Sequence, residues 1–389
     1  MEQTTVLSRP GSPKTAAGPS PATRLLSVDV FRGITMASMV VVNNPGDWGN
    51  VYAPLLHAPW NGWTPTDLIF PFFLFIVGVS LTLSRSTMTS GLRVARRAAL
   101  IFLVGLLLAG IPRFSFATCR VPGVLQRIAV CYLITAMLFR IVRRDGRAPG
   151  RQALAMAGWA GLFTLGYWAL LSWVAAPGRA AGDLTPEGNL GAFVDRTVIG
   201  VNHLWQRRPW DPEGILSTLP AVGTAALGCV AGLCLASGLP RARRAAILAA
   251  GGAALTVLGI AWNQVFPINK NLWTSSYVAF TAGAAALLLA ACCWLTDVRG
   301  WKRWAKPFEI LGVNAIALFV LSALLAKLLM YARVATPDGG ISLGAFIYSR
   351  CCEPIAAPKN ASLLFALTHL AVLFAILLVM YRKRLYLKL

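Results

Sequence analysis

Apolar runs of membrane-spanning length recur along the whole of this chain and constrain its fold more than any other feature. About 20 apolar residues in a helix cross a bilayer core, because a helix pairs its own backbone polar groups. The composition agrees, with 57% hydrophobic and 13% charged residues. We therefore predict an all-α, polytopic membrane protein with about ten transmembrane helices. The predicted spans are residues 27–43, 67–84, 98–112, 122–139, 152–175, 216–237, 245–265, 274–296, 307–331 and 361–381.

The basic residues between these runs set the predicted orientation. Of the 36 Lys and Arg residues, 23 fall in the N-terminal tail and in every second segment after it, 10 fall in the alternate loops, and 3 lie inside spans. Cytoplasmic segments carry such an excess, so we predict that both termini are cytoplasmic. The net charge of +22 is therefore spread over the topology, and we expect no nucleic-acid partner. Residues 1–23 are predicted to be a disordered cytoplasmic tail, and residues 24–389 the transmembrane domain.

Several common catalytic motifs are missing from the sequence. The eight Cys residues show neither CxxC nor Cys/His metal spacing, so we expect no metal site. There is also no Walker loop, GxGxxG fingerprint, HExxH or Ser/His/Asp spacing. These absences give no support to a hydrolase or to an ATP-driven pump.

The stretch HAPWNGWTPTDLIFPFFLFIVG, residues 57–78, places ionisable groups directly against an apolar run. Polar side chains at a membrane boundary are costly to desolvate, which makes this stretch a functional-site hypothesis. A structural interpretation stands beside it. Trp60 and Trp63 would then belong to an aromatic belt, residues 64–67 would cap a helix, and His57 would be a solvated loop residue.

Three basic residues lie inside predicted spans: Arg32, Arg127 and Lys327. Asp29 shares a helix face with Arg32, and their pairing is compatible with a purely structural role. We expect this pair to approach Asp67 and Arg127 at the starts of the second and fourth spans. Arg127 has no acidic neighbour in sequence, so its guanidinium requires a distant carboxylate or a ligand phosphate. Lys327 is explained by snorkelling to the interface.

Seven short motifs, in order from about residue 24 to about residue 320, carry a family resemblance. They are VDVFRG (28–33), VN (42–43), HAPWNGWTPTDLIFPFFLF (57–75), GVLQRIA (123–129), DPEG (211–214), NKNLWT (269–274) and GVNA (312–315). The chain resembles the catalytic region of heparan-alpha-glucosaminide N-acetyltransferases. That family transfers acetyl from cytosolic acetyl-CoA across a membrane to the amine of a terminal glucosamine. We expect a bacterial-type member without the family's lumenal N-terminal domain, located in an inner (cytoplasmic) membrane.

The resemblance also implies site residues. It makes His57 the base or acetyl carrier, with Asn43 as a donor to the carbonyl oxygen and Asp67 or Asp29 orienting the imidazole. The acetyl-CoA cosubstrate carries phosphates that favour cationic partners. The proposed cosubstrate residues are Arg127, Gln126, Arg32 and Asn314. The proposed acceptor-binding residues are Trp60, Asn61, Trp63, Asp211, Glu213, Lys270 and Trp273.

Two other functions stay open at this point. An N-acetylglucosamine transporter without acetyl transfer would be favoured by internal repeats or paired broken helices, and the sequence shows no convincing repeat. An O-acyltransferase of envelope glycans is the other, because DVFRGI resembles the opening of acyltransferase-3 membrane enzymes. Those enzymes carry a histidine near the end of the first span, where this chain has Asn43 and Asn44. The expected partners are the amino-sugar or glycan acceptor, acetyl-CoA and the bilayer, with a homodimer left open.

Overall fold

The computed structural model describes residues 25–84, 90–144, 148–336 and 339–387. The predicted disordered tail, residues 1–23, lies outside them. The helices are α1 (Leu26–Asn43), α2 (Ile69–Leu83), α3 (Gly91–Gly110), α4 (Val124–Arg144), α5 (Pro149–Trp173), α6 (Leu190–Val198), α7 (Thr218–Ala236), α8 (Arg241–Trp262), α9 (Ser275–Cys292), α10 (Lys306–Val313), α11 (Ala315–Tyr331), α12 (Leu343–Ile347) and α13 (Pro358–Arg382). An antiparallel hairpin of β1 (Arg333–Thr336) and β2 (Gly339–Ser342) separates α11 from α12.

Most of these helices can cross a membrane. Among the described residues, eight are long and apolar enough, or nine if the bent pair α10–α11 counts as one span. The prediction of an all-α polytopic membrane protein is therefore confirmed. The predicted third span, 98–112, falls on α3, which is not among these eight and begins earlier, at Gly91. Arg93, Arg96 and Arg97 thus lie in the first two turns of a helix, whereas the sequence suggested a loop.

The predicted span 307–331 is broken at Asn314. The axes of α10 and α11 differ by 81° across this residue. The Asn314 side chain donates from Nδ2 to the Leu385 carbonyl at 3.1 Å and accepts from the Leu387 N–H at 3.2 Å. Asn314 therefore fastens the bend to the segment that follows α13.

The core of the bundle forms around α2, α7 and α9, whereas most residues of α5, α8 and α13 are only partly buried or exposed. An exposed apolar helix surface suits lipid. Near one end, α1 packs directly on α10. A Cβ atom at Gly33 would lie 1.8 Å from the Phe308 carbonyl oxygen, and one at Gly312 would lie 1.9 Å from the Asp29 carbonyl oxygen. Only glycine permits this approach, and it sets Arg32 against the start of the α10–α11 bend.

Candidate active site

A cavity of about 440 Å³ opens at the end of the bundle where α1 finishes and α2 begins. We call it the His57 cavity. Its walls come from α1, α2, α4 and α11 and from the loops that surround them. The polar residues that line it are Thr35, Asn43, His57, Thr66, Asp67, Arg120, Arg208, Glu213, Lys270 and Asn271. Its deeper part is apolar, with Met36, Met39, Phe70, Phe73, Ile128 and Phe319 among the lining residues.

His57 and Asp67 form a hydrogen-bonded pair in this cavity. His57 Nδ1 lies 2.7 Å from Asp67 Oδ1, and Asp67 is only 1% exposed. The other carboxylate oxygen, Oδ2, accepts from the backbone N–H groups of Ala58 and Thr64 at 3.0 Å each. The bond from Thr64 belongs to the capping box that starts the Pro65–Leu68 turn ahead of α2. A fixed carboxylate at Nδ1 selects the Nδ1–H tautomer and leaves Nε2 as the basic nitrogen.

Lys270 contacts both members of this pair. Its Nζ lies 2.9 Å from His57 Nδ1 and 3.1 Å from Nε2, and 3.5 Å from Asp67 Oδ1. The Lys270 side chain is 17% exposed. Burial lowers the pKa of Lys270, and the negative charges of Asp67 and Glu213 act in the opposite direction. Asp67, His57 and Lys270 therefore form one cluster of polar groups in mutual contact.

Asn43 shares the cavity with this group, but Asp29 does not. Asn43 is exposed at the C-terminal end of α1, and three of the residues the sequence singled out, Asn43, His57 and Asp67, line the same space. Asp29 precedes Asn43 by about 21 Å along the helix axis. Its carboxylate instead accepts from Arg32 Nη1 at 3.2 Å. Asp67, rather than Asp29, is the carboxylate that contacts the imidazole.

An aromatic wall closes one side of the cavity. The Trp60 and Trp210 rings meet edge to face at 5.0 Å, and Trp205 packs on Trp210 at 5.5 Å. The Arg208 guanidinium lies over Trp205, 4.6 Å from the ring centroid. Sequence reasoning missed Trp205 and Arg208, although the aromatic and basic run WQRRPW was a usable signal. Trp63, which it did select, is 45% exposed and packs on Phe280.

Arg120 ties the loop before α4 to the loop before α7. Its Nε and Nη2 donate to Asp211 Oδ2 and Oδ1 at 3.0 and 2.6 Å, and Nη2 also contacts Glu213 Oε2. Asp211 is 3% exposed, and it also accepts from the Trp205 N–H at 2.7 Å. Asp211 is therefore an anchor for the cavity wall, whereas Glu213 lines the cavity. Sequence reasoning counted Arg120 only as a loop charge.

A second cavity, of about 460 Å³, lies toward the opposite end of the same helices. We call it the Arg32 cavity. Phe73 of α2 and Ile128 of α4 line both cavities, so the two spaces are arranged end to end with these side chains between them. Arg32 and Arg97 supply positive charge, and Arg32 Nη2 donates to Ser80 Oγ at 2.8 Å.

The partners of Arg32 correct an expectation from the sequence. Arg32 Nη1 contacts Asp29 and also donates to the Gly312 carbonyl at 3.2 Å. The expected approach of this pair to Asp67 and Arg127 is therefore wrong, because Ser80, the α2 residue that Arg32 contacts, lies near the end of that helix and not near its start. Arg97 places its guanidinium 5.2 Å from the Tyr132 ring centroid, and its Nε has no hydrogen-bond partner within the described residues.

Arg127 lines neither of these two cavities. It is 2% exposed, it donates from Nη2 to the Gly214 carbonyl at 3.0 Å and to Ser217 Oγ, and it lies 5.1 Å from the Trp273 ring centroid. With Gln126 it borders a separate cavity of about 210 Å³.

Trp273 is 1% exposed and donates from Nε1 to Thr224 Oγ1 at 3.2 Å. The contacts of Arg127 and Trp273 thus join α4, α7 and the loop before α9.

Two further predicted residues have contacts within the fold. Asn61 accepts from Asn269 Nδ2 at 3.0 Å, which links the His57 loop to the Lys270 loop. Asn314, as described above, holds the α10–α11 bend and does not line the Arg32 cavity.

Comparison with known proteins bears directly on this arrangement. Residues 24–177 match the family described as heparan-alpha-glucosaminide N-acetyltransferase, catalytic. The heparan-alpha-glucosaminide N-acetyltransferase of Homo sapiens is 32% identical over 357 aligned residues, covering 76% of this chain and 52% of the human protein. The chain belongs to the heparan-alpha-glucosaminide N-acetyltransferase family. The Mus musculus relative is likewise 32% identical, over 361 residues, covering 77% of this chain and 53% of that protein.

The chain spans about half the length of the curated relatives that it matches. The catalytic-region match contains Asn43, His57 and Asp67, and also Arg32 and Arg97. Trp205 and Trp210 of the aromatic wall and the Lys270 loop lie beyond residue 177, and they complete the His57 cavity from later parts of the chain.

Proposed function

We propose that this protein transfers an acetyl group from acetyl-CoA to the primary amine of a glucosamine-type sugar. Acetyl-CoA enters at the Arg32 cavity, and the acceptor enters at the His57 cavity. The observation that carries this proposal is the arrangement of two cavities in line, with arginines in one and an imidazole–carboxylate pair in the other. Acetyl transfer through a bundle requires such a division.

The Arg32 cavity suits the nucleotide end of acetyl-CoA. Its phosphates carry several negative charges, and guanidinium groups bind phosphate through paired N–H donors. Arg32 and Arg97 take this role because both line the Arg32 cavity, whereas Arg127 does not. The distance from Arg32 to Asn43 along α1 is about 16 Å. The pantetheine arm is long enough to span this distance. It would pass between Phe73 and Ile128 and so bring the thioester to His57.

The His57 cavity supplies the groups for acyl transfer to an amine. Asp67 holds the Nδ1–H of His57, so Nε2 accepts a proton from the acceptor amine as it attacks the acetyl carbonyl. The Asn43 amide donates to the oxygen on which negative charge develops. The C–S bond then breaks, and CoA leaves as the thiol. In the alternative route, Nε2 would itself attack the thioester, release CoA and carry the acetyl group until the acceptor amine takes it.

The acceptor would lie against the aromatic wall. Trp205 and Trp210 offer ring faces to the apolar face of a sugar. Glu213, which is paired with Arg120, brings a carboxylate to the cavity that can accept hydrogen bonds from an amino sugar. Among the amino-sugar-binding residues inferred from sequence, Glu213 and Lys270 line the cavity directly, and Trp60 supports it through Trp210.

The uneven distribution of basic residues between the two sides sets the direction of the proposed reaction across the membrane. With both termini cytoplasmic, the Arg32 cavity opens toward the cytosol and the His57 cavity toward the far side of the membrane. For this chain we propose a bacterial inner membrane, with acetyl-CoA supplied from the cytosol and an envelope amino sugar as the acceptor. A transporter is less well supported, because broken helices in transporters often occur in corresponding pairs and the described residues contain one.

A panel of acceptors tests the proposal. Purified protein in detergent is incubated with radiolabelled acetyl-CoA and glucosamine, galactosamine or N-acetylglucosamine, and the acetylated sugars are separated. N-Acetylglucosamine is the matched control, because its amine is blocked and its hydroxyls remain. We expect label on glucosamine and none on N-acetylglucosamine. Label on N-acetylglucosamine would indicate O-acylation. Sugar uptake into proteoliposomes without any acetylated product would indicate transport.

A further inference from the structure

Lys270 presents a primary amine at the place where the acceptor amine has to react. Its Nζ is 3.1 Å from His57 Nε2, within hydrogen-bonding distance of the nitrogen that Asp67 leaves basic. Lys270 is the one lysine among the described residues that line the His57 cavity. An amine in contact with the base, in a cavity that receives an acetyl thioester, has the position of a substrate.

The loop around Lys270 holds this amine in place. The neighbouring Asn269 is fully buried, donates from Nδ2 to Asn61 Oδ1 at 3.0 Å, and accepts from the Leu272 N–H at 2.9 Å. The Asn269 N–H also donates to Thr274 Oγ1 at 3.0 Å. A side chain on such a restrained turn is held close to a reactive group, and this proximity favours reaction between them.

The protonation state of Lys270 is balanced between two influences. Asp67 Oδ1, at 3.5 Å, favours the ammonium form, which is not nucleophilic. Burial favours the neutral amine and lowers the pKa of Lys270 below its ordinary value. The neutral form of Lys270 is therefore easier to reach by loss of a proton than that of a lysine on a solvated surface.

We propose that Lys270 is a self-acetylation site, modified when acetyl-CoA is bound and no acceptor sugar occupies the His57 cavity. This inference rests on the proposed acetyltransferase function. The neutral Nζ attacks the acetyl carbonyl and forms a C–N amide bond. His57 Nε2 takes the proton that Nζ loses, the thioester C–S bond breaks, and the CoA thiolate takes up a proton and leaves as the thiol.

The modification would switch the site off. Acetyl-Lys270 is uncharged, so it no longer pairs with Asp67, and its added acetyl group fills space beside His57. The amide of acetyl-Lys270 is too unreactive to act as an acetyl donor, so the acetyl group stays on the lysine. An acceptor sugar protects Lys270 by occupying the cavity and by consuming the acetyl group.

Peptide mass spectrometry tests the proposal on the intact protein. Wild type is incubated with isotope-labelled acetyl-CoA, without acceptor and with saturating glucosamine, and labelled peptides are quantified. Lys359 is the matched control, because it is an exposed lysine in the first turn of α13 and does not line the His57 cavity. We expect labelling of Lys270 to exceed that of Lys359 by roughly a hundredfold, the scale of general-base assistance. Glucosamine and His57→Ala should each suppress the Lys270 label.

The outcomes separate this inference from the proposed function. Acetylation of glucosamine with an unlabelled Lys270 would overturn the inference and leave the proposed function intact. Equal labelling of Lys270 and Lys359, unaffected by His57→Ala, would show unassisted surface chemistry and would also overturn it. If neither glucosamine nor Lys270 is acetylated, the proposed function fails and the inference fails with it.

Discussion

The Nδ1 atom of His57 lies 2.7 Å from Oδ1 of Asp67, and the same carboxylate caps the turn that starts the second span. The residue that orients the imidazole is therefore also the residue that fixes the loop carrying it. This coupling explains how an imidazole that is 51% exposed keeps a defined direction. It also means that one substitution at Asp67 affects both orientation and local stability.

Asp67→Asn is expected to lower turnover by roughly two to four orders of magnitude, the range for general acid–base catalysis. The amide cannot accept hydrogen bonds at both of its ends, so the tautomer and the direction of His57 are no longer held. Loss of the helix cap should cost about 1 kcal/mol of stability. Steady-state kinetics and thermal melting measure the two effects. Turnover within about twofold of wild type would contradict the orienting role.

Arg97→Ala is expected to weaken acetyl-CoA binding roughly ten- to hundredfold, because a hydrogen bond to a charged group contributes about 1.5–3 kcal/mol. Arg96→Ala is the matched control, since Arg96 is exposed on the same helix and does not line the Arg32 cavity. Titration calorimetry with acetyl-CoA gives both dissociation constants. Equal effects of the two substitutions would assign the loss to general charge and would remove the proposed phosphate site.

Phe73→Trp is expected to narrow the passage between the two cavities. Acetyl-CoA should still bind through its phosphates, but displacement of the thioester by about 1 Å should lower turnover roughly a hundredfold. Phe73→Leu, which leaves the passage open, serves as the control. Pre-steady-state acetyl transfer and acetyl-CoA binding are measured side by side. Unchanged transfer by Phe73→Trp would show that the thioester does not pass this residue.

Asp195 gives a prediction for pH. Burial raises the pKa of Asp195 to about 6, and the charge of Asp211 adds to the increase, while the hydrogen bond from the Ile215 N–H opposes it. The folded state therefore holds a proton that the unfolded state releases near pH 4, so stability is lost as pH rises from about 4 to about 6. Asp195→Asn keeps an acceptor for Ile215 and does not titrate.

The melting temperature of Asp195→Asn should therefore rise relative to wild type between pH 4 and pH 6 and then level off. The full difference corresponds to at most about 3 kcal/mol. Thermal melts in detergent across this pH range measure it. A difference between the two proteins that does not change with pH would contradict a buried, proton-binding Asp195.

The sequence predicted the membrane class and the convergence at His57, because both depend on local patterns. Apolar runs mark helices directly, and the capping signal in residues 64–67 brings Asp67 back to His57 within one loop. Arg97 illustrates the opposite case. Its place in the Arg32 cavity depends on α3 beginning at Gly91 and on the rotation of α3 against α4, and neither follows from hydropathy.

Arg127 shows why the partners of a buried charge could not be predicted. The sequence offered no nearby carboxylate, so a distant carboxylate or a ligand phosphate was expected. The fold instead provides the Gly214 carbonyl, Ser217 and the Trp273 ring from distant segments. A search of the sequence for charged partners does not find carbonyl oxygens or aromatic ring faces. The break at Asn314 was missed for a similar reason, since its stabilising bonds come from residues 385–387.

We propose that His57 drives acetyl transfer to an amino sugar. The most direct measurement is the initial rate of N-acetylglucosamine formation from acetyl-CoA and glucosamine by wild type, His57→Ala and His203→Ala. His203 is the control, because it contacts the Cys119 carbonyl and does not line the His57 cavity. We expect His57→Ala to lose roughly two to four orders of magnitude in turnover while still binding acetyl-CoA, and His203→Ala to stay active. Near-normal product formation by His57→Ala would contradict the account.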